Sequence, residues 1–175
     1  MRRGRAGRFD KGSPMKTVSV FLSLAALAAL TSFAQAQTIS VTTLDSDAAK
    51  RAAEACLAHA EKNGWRSTVS VVNAAGELIY ARRMDGAPIL SVEPSRMKAQ
   101  TALQRGEPSQ NMIAPLNATA DNQLILAMQM NDFPASGGVP IRVGGQIVGS
   151  IGVGGGPPGT DHQCANVGIA AIGAN

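Results

Sequence analysis

The pattern of apolar and polar positions along this chain switches several times between a helical and a strand period. Over residues 44–63 charged residues fall on one side at helical spacing and small apolar residues on the other. This predicts an amphipathic helix with Thr43 as its N-cap and Gly64 as its stop. The side expected to pack inward carries Ala49, Ala52, Cys56, His59 and Ala60.

Two β-hairpins follow from alternation and turn residues. Residues 68–72 alternate as a strand does, and residues 77–82 form the returning strand after a turn that ends at Gly76. The second hairpin pairs residues 139–143 with 146–153 around a two-residue Gly-Gly turn. Residues 84–88 break the pattern, and we expect a loop there.

The remaining helices are predicted from proline and glycine residues at their expected starts and stops. Residues 94–105 predict a second helix, because proline is tolerated in a first turn and Gly106 ends the segment. A final helix is expected over residues 158–172. Residues 109–130 are rich in Gln, Asn and Met and favour only short helical pieces.

The order of these elements predicts an α+β domain with an antiparallel sheet flanked by helices, not a doubly wound nucleotide-binding fold. The predicted arrangement places the first and last helices next to each other on one face of the sheet. Cys56 and Cys164 could then meet, either as a buried pair of free thiols or as a disulfide.

Residues 15–37 are typical of a secretory signal peptide. Lys16 supplies the positive charge, the apolar run 18–30 is too short to span a bilayer, and Ala34 and Ala36 precede a cut before Gln37. We therefore expect residues 1–36 to be removed and residues 37–175 to act as one domain, periplasmic or secreted. The first fourteen residues are interpreted as an overextended start.

The formal charge of +4 changes on processing. Six of the 16 basic residues and one of the 12 acidic residues precede the cut, which leaves a charge of about −1. The basic excess therefore gives no support for a nucleic-acid partner. No second apolar run is long enough for a transmembrane anchor after processing.

Motif chemistry excludes several common sites. The glycines at 152–156 lack the Lys-Ser/Thr of a phosphate loop, no serine lies in a nucleophile elbow, and no Cys/His spacing matches a dedicated metal site. His59 is interpreted first as a histidine at the core edge that bonds a backbone carbonyl, with a ligand role as the alternative. Catalytic residues cannot be assigned from spacing.

Six short segments occur in a distinctive order: SVVNAAGEL (70–78), RMDGA (83–87), KAQTA (98–102), GGVPI (137–141), GSIGV (149–153) and DHQCA (161–165). Together they resemble the GlcG/HbpS-type haem-binding (haem-degrading) family, related to the C-terminal domain of PduO-type proteins. The resemblance implies a profilin-like α/β/α domain with a five-stranded antiparallel sheet, assembled into oligomers. It also implies binding of haem or another tetrapyrrole.

Three functions compatible with this resemblance differ in class. The leading one is an exported haem- or tetrapyrrole-binding protein for storage, scavenging or redox sensing. The second is an enzyme that acts on haem or a small organic substrate, with Lys98, Asp85 or Glu93 as acid/base groups. The third is a partner-binding accessory module of a sensor system. Scarce aromatics and alanine-rich helix faces, with the resemblance, predict a homo-oligomer.

A tetrapyrrole needs an apolar slot, cations for its propionates and, optionally, an axial donor. We expect it between the loop 83–85 and the second helix, with Arg83 or Lys98 facing the propionates and Thr101 or Met84 nearest the iron. His59 is a stronger ligand but lies on another element. The alternative is that Arg83 and Lys98 are merely solvated.

Overall fold

The computed structural model of the protein describes residues 39–118, 126–127 and 129–175. The expected targeting segment, its cut before Gln37 and part of the stretch 109–130 lie outside the described residues. The described elements belong to one compact unit, Ser40–Asn175.

Four antiparallel strands form a single sheet in the described part of the chain. They are β1 (Thr68–Asn73), β2 (Leu78–Arg83), β3 (Gly138–Val143) and β4 (Gln146–Gly154), in the spatial order β2-β1-β4-β3. Both predicted hairpins are confirmed. The central pair β1–β4 runs without a register shift from Thr68 opposite Gly154 to Asn73 opposite Gly149.

The expectation of five strands is wrong for this chain, because the sheet of the described residues has four. Among the described residues, the β-branched segment before the first helix hydrogen-bonds to the sheet and its first turn through Thr43 and Leu44. The Leu44 amide donates to the Val148 carbonyl (2.8 Å) and the Ala74 amide donates to Thr43 Oγ1 (3.0 Å). Because the chain then turns into a helix, no ladder develops.

Four α-helices are described: α1 (Ser46–Lys62), α2 (Val92–Arg105), α3 (Ile113–Ala118) and α4 (Thr160–Ala171). Short 3₁₀ turns at Ile89–Ser91 and Ser109–Met112 precede α2 and α3. Within residues 39–118, 126–127 and 129–175, none of the helices has the length and apolar character needed to cross a membrane.

The starts of three helices differ from the sequence expectation by about two residues. The N-cap of α1 is Asp45 rather than Thr43, because the Asp45 carboxylate accepts a hydrogen bond from the Ala48 amide at 2.7 Å. Helix α2 begins before Pro94, which fits within its first turn. Helix α4 begins only after Gly159, whose φ of +83° is non-helical.

Helices α1 and α4 cover one face of the sheet, as predicted. Their buried side chains pack with the apolar face of β1 and β4, which carries Val69, Val71, Ile151 and Val153. Ala49, Ala52, Cys56 and Ala60 are all fully buried, which confirms the predicted inward side of the first helix. The core on this face is therefore built from aliphatic and small side chains.

Helix α2 covers the opposite face through hydroxyl groups. Thr68 and Ser91 share a hydrogen bond of 2.6 Å, and Ser70 and Ser95 share one of 2.8 Å. Ser150 Oγ donates to the Ala99 carbonyl at 2.5 Å. The polar residues that alternate along β1 and β4 thus face a helix, not solvent.

A disulfide joins Cys56 of α1 to Cys164 of α4, with 4.7 Å between their Cα atoms. Both cysteines are fully buried and 108 residues apart in sequence. Of the two states left open by the sequence, the structure has the bridge. It ties together the two helices of one layer.

Reduction of this disulfide should destabilise the protein strongly. A cross-link over so long a loop restricts the unfolded chain, so its loss should lower the free energy of unfolding by about 2–5 kcal/mol. Thermal unfolding with and without reductant measures the effect. The double variant Cys56→Ala/Cys164→Ala is the control, since reductant should not change its melting temperature. Two thiols alkylated without reductant would contradict the bridge.

Candidate functional site

A buried ion pair connects α2 to the start of α4. Lys98 is only 6% exposed, and its Nζ donates to Asp161 Oδ2 and to the Val153 carbonyl, both at 2.9 Å. The interpretation of Lys98 as merely solvated is wrong, because its ammonium lies beneath the end of β4. Two of its three donors are held by the protein itself.

Glycine and helix geometry explain why this pair forms. Asp161 is the second residue of α4, and its Oδ1 accepts from the Gly156 amide at 3.1 Å. A Cβ on Gly137 would stand 2.5 Å from the Val153 oxygen and 2.8 Å from Asp161 Cβ. Lys98 and Asp161 therefore pack against residue 137, where only glycine leaves enough space.

The environment of Asp161 changes its acidity. Burial raises the pKa of this carboxyl above its ordinary value, while the Lys98 ammonium and the Gly156 amide act in the opposite direction and offset only part of the rise. Asp161 therefore accepts a proton more readily than a surface aspartate does.

An open cavity of about 260 Å³ lies next to this pair, between the start of α2 and the end of β4. It is lined by Pro88, Leu90, Ser91, Pro94, Lys98, Phe133, Ala135, Gly154 and Gly155. Its walls are mostly apolar, and Leu90 at its rim is 83% exposed together with the adjacent Ile89 at 78%. The cavity suits a ligand with an apolar body.

Thr101 is held inside the protein. It is fully buried, and its Oγ1 accepts a hydrogen bond of 2.8 Å from the Phe133 amide. This bond fixes the backbone of one cavity wall. Thr101 is therefore placed as a positioning residue for Phe133 and does not itself line the cavity.

Met84 and Arg83 lie apart from Lys98. Met84 is buried with the α1 side of the core and lines a second cavity of about 260 Å³. That cavity is also lined by Glu54, Leu57, Ala58, Glu61, Arg66, Arg82 and Asp85. The Arg83 guanidinium donates to the Ala87 carbonyl. The expected set of Arg83, Met84, Lys98 and Thr101 is therefore not gathered around one cavity.

His59 also lies away from the Lys98 cavity. Its ring meets Trp65 edge-on, with 5.4 Å between ring centroids. Its Nε2 is buried and has no hydrogen-bond partner among the described residues. The side chain is half-buried at the end of α1, at the expected core edge, but its buried Nε2 does not make the expected hydrogen bond to a backbone carbonyl of the described residues.

The other acid/base candidates are separated in the same way. Asp85 lines the second cavity, and Glu93 is an exposed partner of Arg96, whose hydrogen bond lowers the Glu93 pKa. Over the described ranges, no cluster of three or more His, Cys, Asp or Glu side chains is arranged to hold a metal ion. Of the three candidates, Lys98 alone lines the apolar cavity.

A known family model matches most of the described chain. The model of the family described as "Haem degrading protein HbpS-like" matches residues 44–170, which include the whole sheet, the Lys98–Asp161 pair and the disulfide. The chain belongs to the HbpS-like family.

Known relatives cover most of the described fold. Protein GlcG of Escherichia coli is 30% identical over 94 residues, 54% of this chain and 68% of GlcG. Klebsiella pneumoniae protein ORFY superposes with a TM-score of 0.73 at 25% identity, covering 79% of this chain and 97% of ORFY. A double mutant of Streptomyces reticuli HbpS superposes with a TM-score of 0.71 at 32% identity, and the match covers 77% of this chain and 90% of the HbpS chain. The protein chain of a PduOC:haem complex superposes with a TM-score of 0.70 at 25% identity, and the match covers 76% of this chain and 97% of the PduOC chain.

Sequence reasoning did not single out Asp161 of the ion pair, nor Leu90 and Phe133 of the cavity wall. Asp161 begins the last of the six ordered segments, so a signal for it existed. Leu90 and Phe133 carry no signal in the sequence, because what brings them together is the approach of two loops to α2.

Breaking the buried pair should destabilise the fold much more than breaking a surface pair. Lys98→Met or Asp161→Asn leaves one buried group without its partner and should cost about 3–5 kcal/mol. The double variant Lys98→Met/Asp161→Asn should cost less than the sum of the two single changes. Urea unfolding measures all three.

The exposed pair Glu93–Arg96 on the same helix is the matched control. Arg96→Met should change the free energy of unfolding by less than about 1 kcal/mol. Single substitutions at Lys98 and Asp161 that cost no more than Arg96→Met would contradict a structural role for the buried pair.

Proposed function

We propose that this protein binds haem or a related tetrapyrrole in the cavity beside Lys98. The observation that carries the proposal is the likeness to the PduOC chain solved in complex with haem, which extends over 76% of this chain. Membership of the HbpS-like family supports the same ligand class.

The residues around this cavity fit the organic part of a tetrapyrrole. Leu90, Pro94 and Phe133 supply apolar walls for a flat ring, and Lys98 supplies a cation for a propionate. The opening beside the exposed Leu90 allows a large ligand to project outward. Bound haem would supply a redox-active iron, and the chain would hold and orient the macrocycle.

Potential iron donors at the cavity are already hydrogen-bonded. Ser91 Oγ donates to the Pro88 carbonyl at 2.5 Å and contacts Thr68 Oγ1, while Lys98 Nζ is held by Asp161. Met84 and His59 lie elsewhere. Binding through the apolar walls and the propionates is therefore the mode that we favour.

We further propose that the protein acts outside the cytoplasm, in storage, scavenging or redox sensing of its ligand. The signal-like segment 15–37 supports export. The Cys56–Cys164 disulfide supports it independently, because disulfides persist in oxidising compartments. Fractionation of cells that make the protein, with N-terminal sequencing of the product, tests this proposal.

Titration with haem should produce a Soret band that saturates. Leu90→Ser and Phe133→Ala should each weaken binding by about tenfold, since each removes on the order of 1.5 kcal/mol or more of apolar contact. Leu78→Ser is the matched control, because Leu78 is half-exposed on β2 away from this cavity. Reductant added after the titration distinguishes binding from haem breakdown, because the Soret band would disappear if the protein degraded the haem.

The same titration distinguishes the two cavities. Met84→Ala and His59→Ala should leave the affinity and the spectrum unchanged if the ligand lies beside Lys98. Loss of binding in Met84→Ala with normal binding in Leu90→Ser would move the site to the cavity along α1. Loss only in His59→Ala would move it to the end of that helix.

We also propose that the protein forms homo-oligomers. The scarcity of aromatic residues and the family resemblance support this, since a small domain with few large core side chains gains stability from association. Light scattering coupled to size-exclusion chromatography should give a mass above that of one chain. A single monomeric species at micromolar concentration would contradict the proposal.

A further inference from the structure

The amine of Lys98 is placed unlike those of the other lysines in the described part of the chain. Lys50 and Lys62 are exposed on α1, whereas Lys98 is buried and lines an apolar cavity. An ammonium has three N–H donors. Two of them bind Asp161 and the Val153 carbonyl, and within the described residues no third acceptor is bonded to Nζ.

Burial in an apolar site disfavours the charged form of an amine and so favours the neutral, nucleophilic form, and a carboxylate in contact with that amine can accept its proton and return it. We propose that Lys98 forms a reversible imine with a small apolar aldehyde that enters the cavity. This inference is independent of haem binding, since it concerns the free cavity and a covalent bond to nitrogen.

The reaction balances with the two groups already present. The Lys98 ammonium passes a proton to the Asp161 carboxylate, and the neutral amine attacks the aldehyde carbon. The carbon–nitrogen bond forms, the carbonyl π bond breaks, and a proton moves from nitrogen to oxygen to give a carbinolamine. Asp161 then protonates the hydroxyl, water leaves, and a protonated imine remains beside the Asp161 carboxylate.

Charge conservation favours this product in a buried site. The protonated imine carries the same positive charge as the ammonium that it replaces, so Asp161 keeps a cationic partner. No unpaired buried charge is created, and such a charge would cost several kcal/mol. The hydrogen bond from the Gly156 amide continues to orient the carboxylate.

The cavity defines the class of aldehyde. Its volume of about 260 Å³ suits a small molecule, and its walls at Leu90, Pro94 and Phe133 are apolar. No charged side chain other than that of Lys98 lines it among the described residues. A neutral aldehyde with a short hydrocarbon tail therefore fits, whereas a sugar would lose the hydration of its hydroxyl groups without compensating partners.

The test uses the full chain without haem, butanal as the probe and cyanoborohydride to trap the imine. Peptide mass mapping then follows butylation at each lysine with time. Lys98 should be modified about 100-fold faster than Lys50 and Lys62, the lower end of what a positioned acid–base group contributes. Equal rates at all three lysines in the unmodified protein would overturn the proposal.

Two variants identify the cause of the selectivity. Asp161→Asn should remove the rate advantage of Lys98 and leave the rates at Lys50 and Lys62 unchanged, because it takes away the proton acceptor. If this variant fails to fold, Phe133→Ala tests the same site, since loss of one apolar wall should slow Lys98 labelling by butanal. Unchanged selectivity in a folded Asp161→Asn or Phe133→Ala protein would overturn the assignment.

Haem titrated into the same preparation keeps the two proposals distinguishable. A normal Soret band with uniform lysine labelling would leave haem binding intact and end the imine proposal. Selective labelling of Lys98 without a Soret band would do the reverse. Protection of Lys98 from butanal by bound haem would place both ligands in one cavity.

Discussion

The contact on which the rest of this structure depends is the close approach of α2 to the backbones of β3 and β4. A Cβ at Gly152 would stand 2.0 Å from the Ser95 carbonyl, and one at Gly138 would stand 2.2 Å from the Lys98 carbonyl. Only glycine allows backbones to pack at this distance. Because α2 lies so deep, the Lys98 side chain can pass under the end of β4 and reach α4.

The two faces of the sheet are stabilised by different forces. On the α1/α4 face apolar packing dominates, and the hydrophobic effect that drives it is non-directional. On the α2 face the bonds Thr68–Ser91, Ser70–Ser95 and Ser150–Ala99 are directional. They fix both the rotation of α2 and its position along the strands. The cavity is built on the face whose geometry is more narrowly defined.

The sequence predicts the local elements well and the long-range contacts poorly. Both hairpins and the apolar side of α1 follow from periodicity and turn residues alone. The alternation of Thr68 and Ser70 identifies a strand, yet it cannot tell a polar face that meets solvent from one that meets a helix. Five strands were implied by family resemblance, and the described chain forms four because its lead-in bonds the sheet only near Leu44.

The candidate site is predicted in part for the same reason. The sequence predicts Lys98 as a cation for a tetrapyrrole, but its partner Asp161 is 63 residues away and is brought to it by the packing of α4. Met84 follows Arg83 directly in sequence, yet its side chain belongs to the opposite layer. Residue type and spacing along the chain do not predict which face of the sheet each of these side chains packs on, because that depends on how the helices cover both faces.

The Cys56–Cys164 disulfide between α1 and α4 also determines what happens when a protease cuts the main chain. The segment between its two cysteines contains the whole sheet, α2 and every residue that lines the Lys98 cavity. If a protease cuts one peptide bond within that segment, the two fragments stay attached and the sheet neighbours remain at a high effective concentration. The two fragments of a nicked protein are then held together covalently by the disulfide and no longer by the backbone. The nicked protein would therefore keep the mass of the intact chain plus one water until the disulfide is reduced.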